Sequence, residues 1–317
     1  MKRNSSLGHR LALGVCLLII VLVMPAAPAF ACSICRCGDP TFNSLGTNVY
    51  SAGQFHLALD WDRFSKSQRT VEDGRIGTDA EVENRYTATL SYSFAERFLV
   101  VARLPVSHRD LTTTFADESE RVRTTGVSDP ELYGLVRLWS SNFGPGLGRR
   151  TWISAVFGVK TPWGRNDVRQ DGERVDEHAQ PGTGSTDLFG GLSGFYLFDA
   201  DSTVFASVQY RGTGRNDFGY KYGNIAMANV AYERKLSEVF DGVVEMNFRH
   251  AQRDEVNREG EVDPNTGGSI LYVTPRLLVN VGHGLVLRLA VQIPAVKSLH
   301  GVQNEKVNYN AGLTFLF

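Results

Sequence analysis

The chain has 317 residues, 42% hydrophobic and 10% aromatic, with 33 basic and 34 acidic side chains and a formal net charge of −1. That balance excludes a nucleic-acid binder, which needs a surplus of Lys and Arg gathered on one face. Beyond the N-terminus no stretch approaches the roughly 20 apolar residues of a spanning helix.

Residues 1–31 read as a secretory signal peptide. Lys2, Arg3 and Arg10 precede an apolar run over 11–24, and Ala29 and Ala31 supply the small residues a signal peptidase reads. Its removal takes away three basic residues and no acidic one, moving the net charge from −1 to −4. An export signal followed by no apolar helix leaves strands as the only way into a membrane.

Residues 32–53 form a Cys-rich N-terminal segment, expected in the periplasm. Cys32, Cys35 and Cys37 are three closely spaced thiols, and Arg36 stands where a c-type haem site needs His. Three readings stay open. The thiolates bind a thiophilic metal, Cu or Zn, or act in redox chemistry; Cys32 pairs with Cys35 or Cys37 in a disulfide; or Cys32 is lipidated.

From residue 54 to 317 the chain alternates apolar with polar or small side chains in about twelve stretches, each long enough to cross a bilayer at a tilt. They fall near 54–66, 82–94, 97–109, 126–140, 150–164, 183–198, 202–214, 221–235, 239–252, 267–280, 284–297 and 303–317. Short links (95–96, 141–149, 199–201, 236–238, 281–283) alternate with longer charged ones (67–81, 110–125, 165–182, 215–220, 251–266, 298–302). Such sorting of loops by parity is the mark of an outer-membrane barrel with periplasmic turns and extracellular loops. The expected fold is all-β, a transmembrane antiparallel β-barrel in the outer membrane.

Parity also assigns faces. Phe98, Val100, Leu104, Leu287, Leu289, Leu57 and Leu59 fall on the lipid side. Charges at opposite parity belong in the lumen, because a charge at the bilayer midplane costs roughly 2–4 kcal/mol. The lumen-lining candidates are Asp60, Arg103, Asp129, Glu131, Arg137, Lys160, Asp187, Arg276 and Arg288. Acids and bases in similar numbers argue against a charge-selective pore and for a narrow or partly plugged pathway.

Two strand openings share a Gly-x-x-Asp pattern, Gly126 to Asp129 and Gly184 to Asp187, and between them lies Lys160-Thr161-Pro162-Trp163-Gly164. This order resembles the outer-membrane proteins grouped as the "MetA-pathway of phenol degradation" family, over about residues 50–317. The resemblance implies a barrel and an outer-membrane transporter of small, hydrophobic or aromatic solutes, and it carries no substrate site with it.

The final stretch ends on Phe317, which reads as a terminal signal for the barrel-assembly machinery. The expected partners are outer-membrane lipid, that machinery, a small-molecule solute and a periplasmic partner. No enzyme is expected: Ser107 and His108 are adjacent in a strand and so face opposite ways. The alternatives to a channel are a scaffold barrel that anchors a periplasmic metal or redox partner, and an outer-membrane lipid hydrolase.

Overall fold

The computed structural model describes residues 53–72, 75–116, 118–143, 149–199 and 201–317. The signal peptide and the segment carrying Cys32, Cys35 and Cys37 lie outside the described residues.

The strands are β1 (Phe55–Glu72), β2 (Arg75–Ala95), β3 (Phe98–Thr114), β4 (Ser119–Val127), β5 (Glu131–Phe143) and β6 (Arg149–Lys160). A two-residue hairpin follows, β7 (Arg169–Gln170) and β8 (Glu173–Arg174), and then one 3-10 turn at Glu177–Ala179. The second half holds β9 (Asp187–Asp199), β10 (Ser202–Gly212), β11 (Ile225–Lys235), β12 (Phe240–Ala251), β13 (Gly268–Gly282), β14 (Leu285–Leu299), β15 (Gln303–Glu305) and β16 (Asn308–Leu316).

β4 and β5 are one wall strand broken at Ser128–Pro130, and β15 and β16 are another broken at 306–307. With those two joined, and the small β7–β8 sheet set aside, each wall strand pairs antiparallel with its sequence neighbours. β16 then pairs with β1, which closes a twelve-stranded barrel. Closure leaves no open edge, so the wall strands exchange backbone hydrogen bonds all the way round the barrel. At the seam the Phe55 amide donates to the Phe317 carbonyl at 2.8 Å and the Phe317 amide returns the bond at 3.0 Å.

Two links expected as long loops differ. β1 and β2 stay paired as far as Glu72 opposite Arg75, and β3 and β4 as far as Thr114 opposite Ser119. Above the membrane the side-chain alternation loses its lipid partner, but the backbone ladder does not need lipid and simply continues.

The outer face is apolar at bilayer height: Leu59, Leu90, Val100, Leu104, Leu132, Phe157, Leu192, Val208, Val230, Val244 and Leu289 are all exposed. Aromatic rings flank this belt. At the end with the short turns, Phe55 stacks on Tyr92 at 4.2 Å and lies 5.9 Å from Phe317, while Phe94 stacks on Phe98 at 5.4 Å. Tyr86, Trp163 and Tyr210 stand exposed toward the other end. Amphipathic rings at both margins match the two polar interfaces of a bilayer.

Candidate functional site

The inner wall carries an ionic belt at mid-height. Glu131 accepts from Arg103 at 2.9 Å and from Arg211 at 2.7 Å, Arg276 pairs with Glu245 at 2.9 Å, and Arg288 pairs with Asp60 at 2.8 Å. Gly312 makes room for the last pair, since a Cβ there would stand 2.2 Å from Asp60 Oδ1. These side chains are almost wholly shielded and pair along the inner wall between adjacent or nearby strands, β3 with β5, β12 with β13, β14 with β1 across β16, and β5 with β10 across β6 and β9. Buried charges persist only when paired and hydrogen-bonded, and this belt meets that requirement along the wall.

Next to Glu131, at the long-link end of the wall, stands a second cluster around its register partner Lys160, which is 0% exposed. Its Nζ lies 2.9 Å from Asp129 Oδ2, 3.2 Å from Asp187 Oδ2 and 3.2 Å from Ser185 Oγ, and also donates to the Thr183 hydroxyl. Asp129 further accepts from the Gly164 amide at 2.9 Å and the Thr183 amide at 2.7 Å. Gly164 must be glycine, because a Cβ there would meet Asp129 Oδ1 at 2.5 Å. The two Gly-x-x-Asp openings and the Lys160–Gly164 stretch therefore meet in one place: they tie down both ends of the 161–186 link.

That link folds inward over the mouth. From Glu177 to Thr183 every residue is buried, although the segment has no strand partners. Arg109 donates to the His178 carbonyl at 2.6 Å, Thr124 donates to the Ala179 carbonyl, and Tyr222 donates to the Glu177 carbonyl at 3.0 Å. The Asn216 amide donates to the Thr183 carbonyl at 3.1 Å. Tyr220 donates its phenol to Asp254 at 2.7 Å and stands 3.2 Å from His178 Nε2. Burial raises the pKa of Asp254 against the opposing pull of His178 and of its hydrogen bonds to Tyr220 and Gly223. The plug is thus held by individual polar contacts rather than by an apolar core.

Toward the short-turn end the lumen changes character. Leu99, Val101 and Leu135 form one inward apolar cluster, and Phe205, Ala231, Val243 and Leu278 form another. Beside the first of these, β2 presents Thr87, Thr89, Ser91 and Ser93, with Ser91 and Ser93 in register with Val101 and Leu99. The alternation of each strand marks its inward positions, but nothing in the sequence marks that these inward residues would be apolar at one height and ionic at another.

All nine lumen candidates point inward. Asp60, Arg103, Glu131, Arg276 and Arg288 belong to the ionic belt, and Asp129, Lys160 and Asp187 to the rim cluster. Arg137 stands apart, with its guanidinium 5.1 Å from the Trp152 ring centroid. Ser107 and His108 do face opposite ways. The Ser107 hydroxyl donates to Glu83 at 2.7 Å inside the barrel, and His108 Nδ1 meets Thr125 Oγ1 at 2.6 Å outside it.

No protein-family model matches the chain, and no curated protein matches it. Among solved structures it is similar to the COG4313 outer membrane channel from Pseudomonas putida F1, with 9% identity and a TM-score of 0.64 over 86% of this chain and 98% of that one. The protein is an outer-membrane β-barrel. The barrel also matches the translocator domain of the autotransporter NalP from Neisseria meningitidis (12% identity, TM-score 0.45, 87% of this chain and 92% of that one). A further match is the P. putida toluene transporter TodX (10% identity, TM-score 0.37, 84% of this chain and 90% of that one).

Proposed function

We propose that the barrel is a gated outer-membrane channel for small solutes, hydrophobic or aromatic ones included, and that the arrangement described is its closed state. The observation that carries this reading is the 177–183 segment, buried across the mouth yet fastened to the barrel largely by individual polar contacts, among them hydrogen bonds from Arg109, Thr124, Asn216 and Tyr222. A net hydrogen bond is worth about 1 kcal/mol, so a plug held by a few of them is poised to leave when something else stabilises the open mouth. The inward apolar clusters support solutes with hydrophobic parts, which a wholly ionic lumen would reject. The similar P. putida channel adds support from fold alone.

Planar-bilayer recording of the full-length protein tests this. Rare, brief openings are expected from the wild type, and long ones once 176–180 are replaced by a short Gly-Ser link. Absence of any conductance from that assembled variant would refute the channel reading.

The ionic belt favours one second reading, a scaffold barrel whose lumen is packed for rigidity and which anchors a periplasmic partner. In either case we propose that Cys32, Cys35 and Cys37 act together at the periplasmic side, binding Cu or Zn or forming a redox-active disulfide. Metal content and thiol titration of protein purified without chelator, with each cysteine changed to Ser in turn, test that role.

A further inference from the structure

Register carries the outer face of β1 to β4 past the bilayer in successive rows. Trp61, Tyr86, Val106 and Val127 form one outward row, since Trp61 pairs with Tyr86, Tyr86 with Val106 and Val106 with Val127. The next row toward the long links is Arg63, Asn84, His108 and Thr125, and the one after it is Ser65, Val82, Asp110 and Arg123. Beyond these, Arg121 ends a row with Ser67, Ala80 and Thr112, and Arg69 opens one with Thr78, Thr114 and Ser119. Lys306 joins from the side of β15: its amide donates to the Ser65 carbonyl at 3.0 Å, and it is exposed next to the inward Glu305.

These rows hold five cations, Arg63, Arg69, Arg121, Arg123 and Lys306, and among their described residues Asp110 is the one acid. Asp110 accepts from Arg121 Nε at 2.6 Å and from Arg123 Nε at 3.3 Å. One carboxylate therefore holds two guanidinium groups side by side, and both stay more than half exposed, at 53% and 58%. Arg63 donates to the neutral Asn84 side-chain oxygen at 3.3 Å, and so does the Trp61 indole N–H at 3.3 Å. The carboxylates of β2 at the opposite parity, Asp79, Glu81 and Glu83, are buried on the inner side. Other long links mix their signs, Arg165 with Asp167, and Arg215 and Lys221 with Glu255. Positive charge is thus concentrated over the β1 to β4 sector of the outer surface, directly beyond the exposed apolar wall of Leu59, Leu90 and Leu104.

We propose that this sector docks a phosphorylated lipid of the outer leaflet, with its acyl chains along Leu59, Leu90 and Leu104 and its phosphates among Arg63, Arg121 and Arg123. A guanidinium presents a planar fork of N–H donors that takes phosphate oxygens two at a time. Each row lies two residues, about 7 Å, beyond the last, so the cations begin just past the aromatic margin, at the level where lipid phosphates stand. Apolar wall, aromatic row and basic rows follow one another in the order of an anionic lipid read from tail to head. A free anion would gain the charge contacts and leave the apolar wall unused. The inference rests on the barrel and its orientation, not on the channel reading.

The test titrates the full-length barrel in non-ionic detergent with lipid A carrying both phosphates, and with the dephosphorylated lipid as its neutral counterpart, and follows tryptophan emission. The phosphorylated lipid should give a saturable change that weakens with added salt, and the dephosphorylated lipid should bind far more weakly. Arg121→Gln/Arg123→Gln should lower the apparent affinity roughly thirtyfold, the weight of two cations at an anionic lipid surface. Arg253→Gln/Arg258→Gln, on the 252–267 link, should leave it unchanged. Heat-modifiable migration shows that each variant is folded, and if the first does not assemble, Arg123→Gln alone replaces it with about a fivefold loss expected. No saturable signal, equal affinity for the two lipids, an equal loss in both double variants, or displacement of the lipid by an equal concentration of inorganic phosphate would overturn the docking surface. A silent barrel that still binds the phosphorylated lipid would overturn the channel reading alone.

Discussion

Lys160 Nζ lies 2.9 Å from Asp129 Oδ2, and both side chains are wholly shielded from solvent. Asp129 lies in the middle of the break between β4 and β5, Lys160 ends β6, and the 161–186 link is tied to the pair through Gly164 and Thr183. One ion pair thus joins the barrel rim to the 161–186 link.

Lys160→Met leaves Asp129 and Asp187 facing each other without their shared cation, and removal of one partner from a buried pair costs about 3–5 kcal/mol. The variant should unfold at clearly lower urea concentration in heat-modifiability assays. Adding Asp129→Asn should recover part of the loss, so the double variant is less damaged than the sum of the singles. Strict additivity would show that the two side chains are not coupled.

Much of the barrel was legible because bilayer physics writes a period of two into each wall strand. Asp60, Glu131 and Arg288 could be placed inside simply because their neighbours Leu59, Leu132 and Leu289 must face lipid. The plug was not legible: 165–182 reads as a charged extracellular link, and its inward fold depends on Arg109, Thr124 and Tyr222 contributed by distant elements. The basic surface around Asp110 was equally hidden, since 67–81 and 110–125 read as links and its rows arise from register between neighbouring strands. Arg137 was found as a charge at inward parity, but its position over Trp152 needed coordinates.

Acidity should act on the mouth through Asp254. Burial raises this carboxyl above its ordinary value of 3.8, so the folded mouth binds the proton more tightly than the unfolded chain. Its contribution is greatest below the unfolded pKa and is lost as pH rises through the folded one. Limited proteolysis of the 213–224 link should therefore be slower just below pH 3.8 than at neutral pH relative to a control peptide, and Asp254→Asn should flatten the difference. A steeper difference in Asp254→Asn would contradict the assignment.

Orientation follows from the links. Trypsin added to intact cells should cut at Arg253 or Arg258, both exposed on the long-link end, and should spare the turn between Phe143 and Arg149. Cleavage confined to that turn would invert the barrel.

Phe317 makes two seam hydrogen bonds and a ring contact with Phe55. Its ring is largely exposed, so its burial accounts for at most about 1.5–3 kcal/mol. Deleting Phe317 should nevertheless deplete heat-modifiable barrel from the outer membrane far more than it lowers the urea midpoint of protein refolded in detergent. Equal small effects in both assays would mean that the residue is structural only.

The central claim is that 177–183 is a gate, and single-channel recording of Thr124→Val/Tyr222→Phe tests it most directly. The two changes remove the hydrogen bonds to the Ala179 and Glu177 carbonyls while leaving the barrel wall intact. At about 1 kcal/mol each, they should raise the ratio of open to closed time by roughly thirtyfold over the wild type in the same bilayer. An assembled double variant that stays as silent as the wild type would contradict the account.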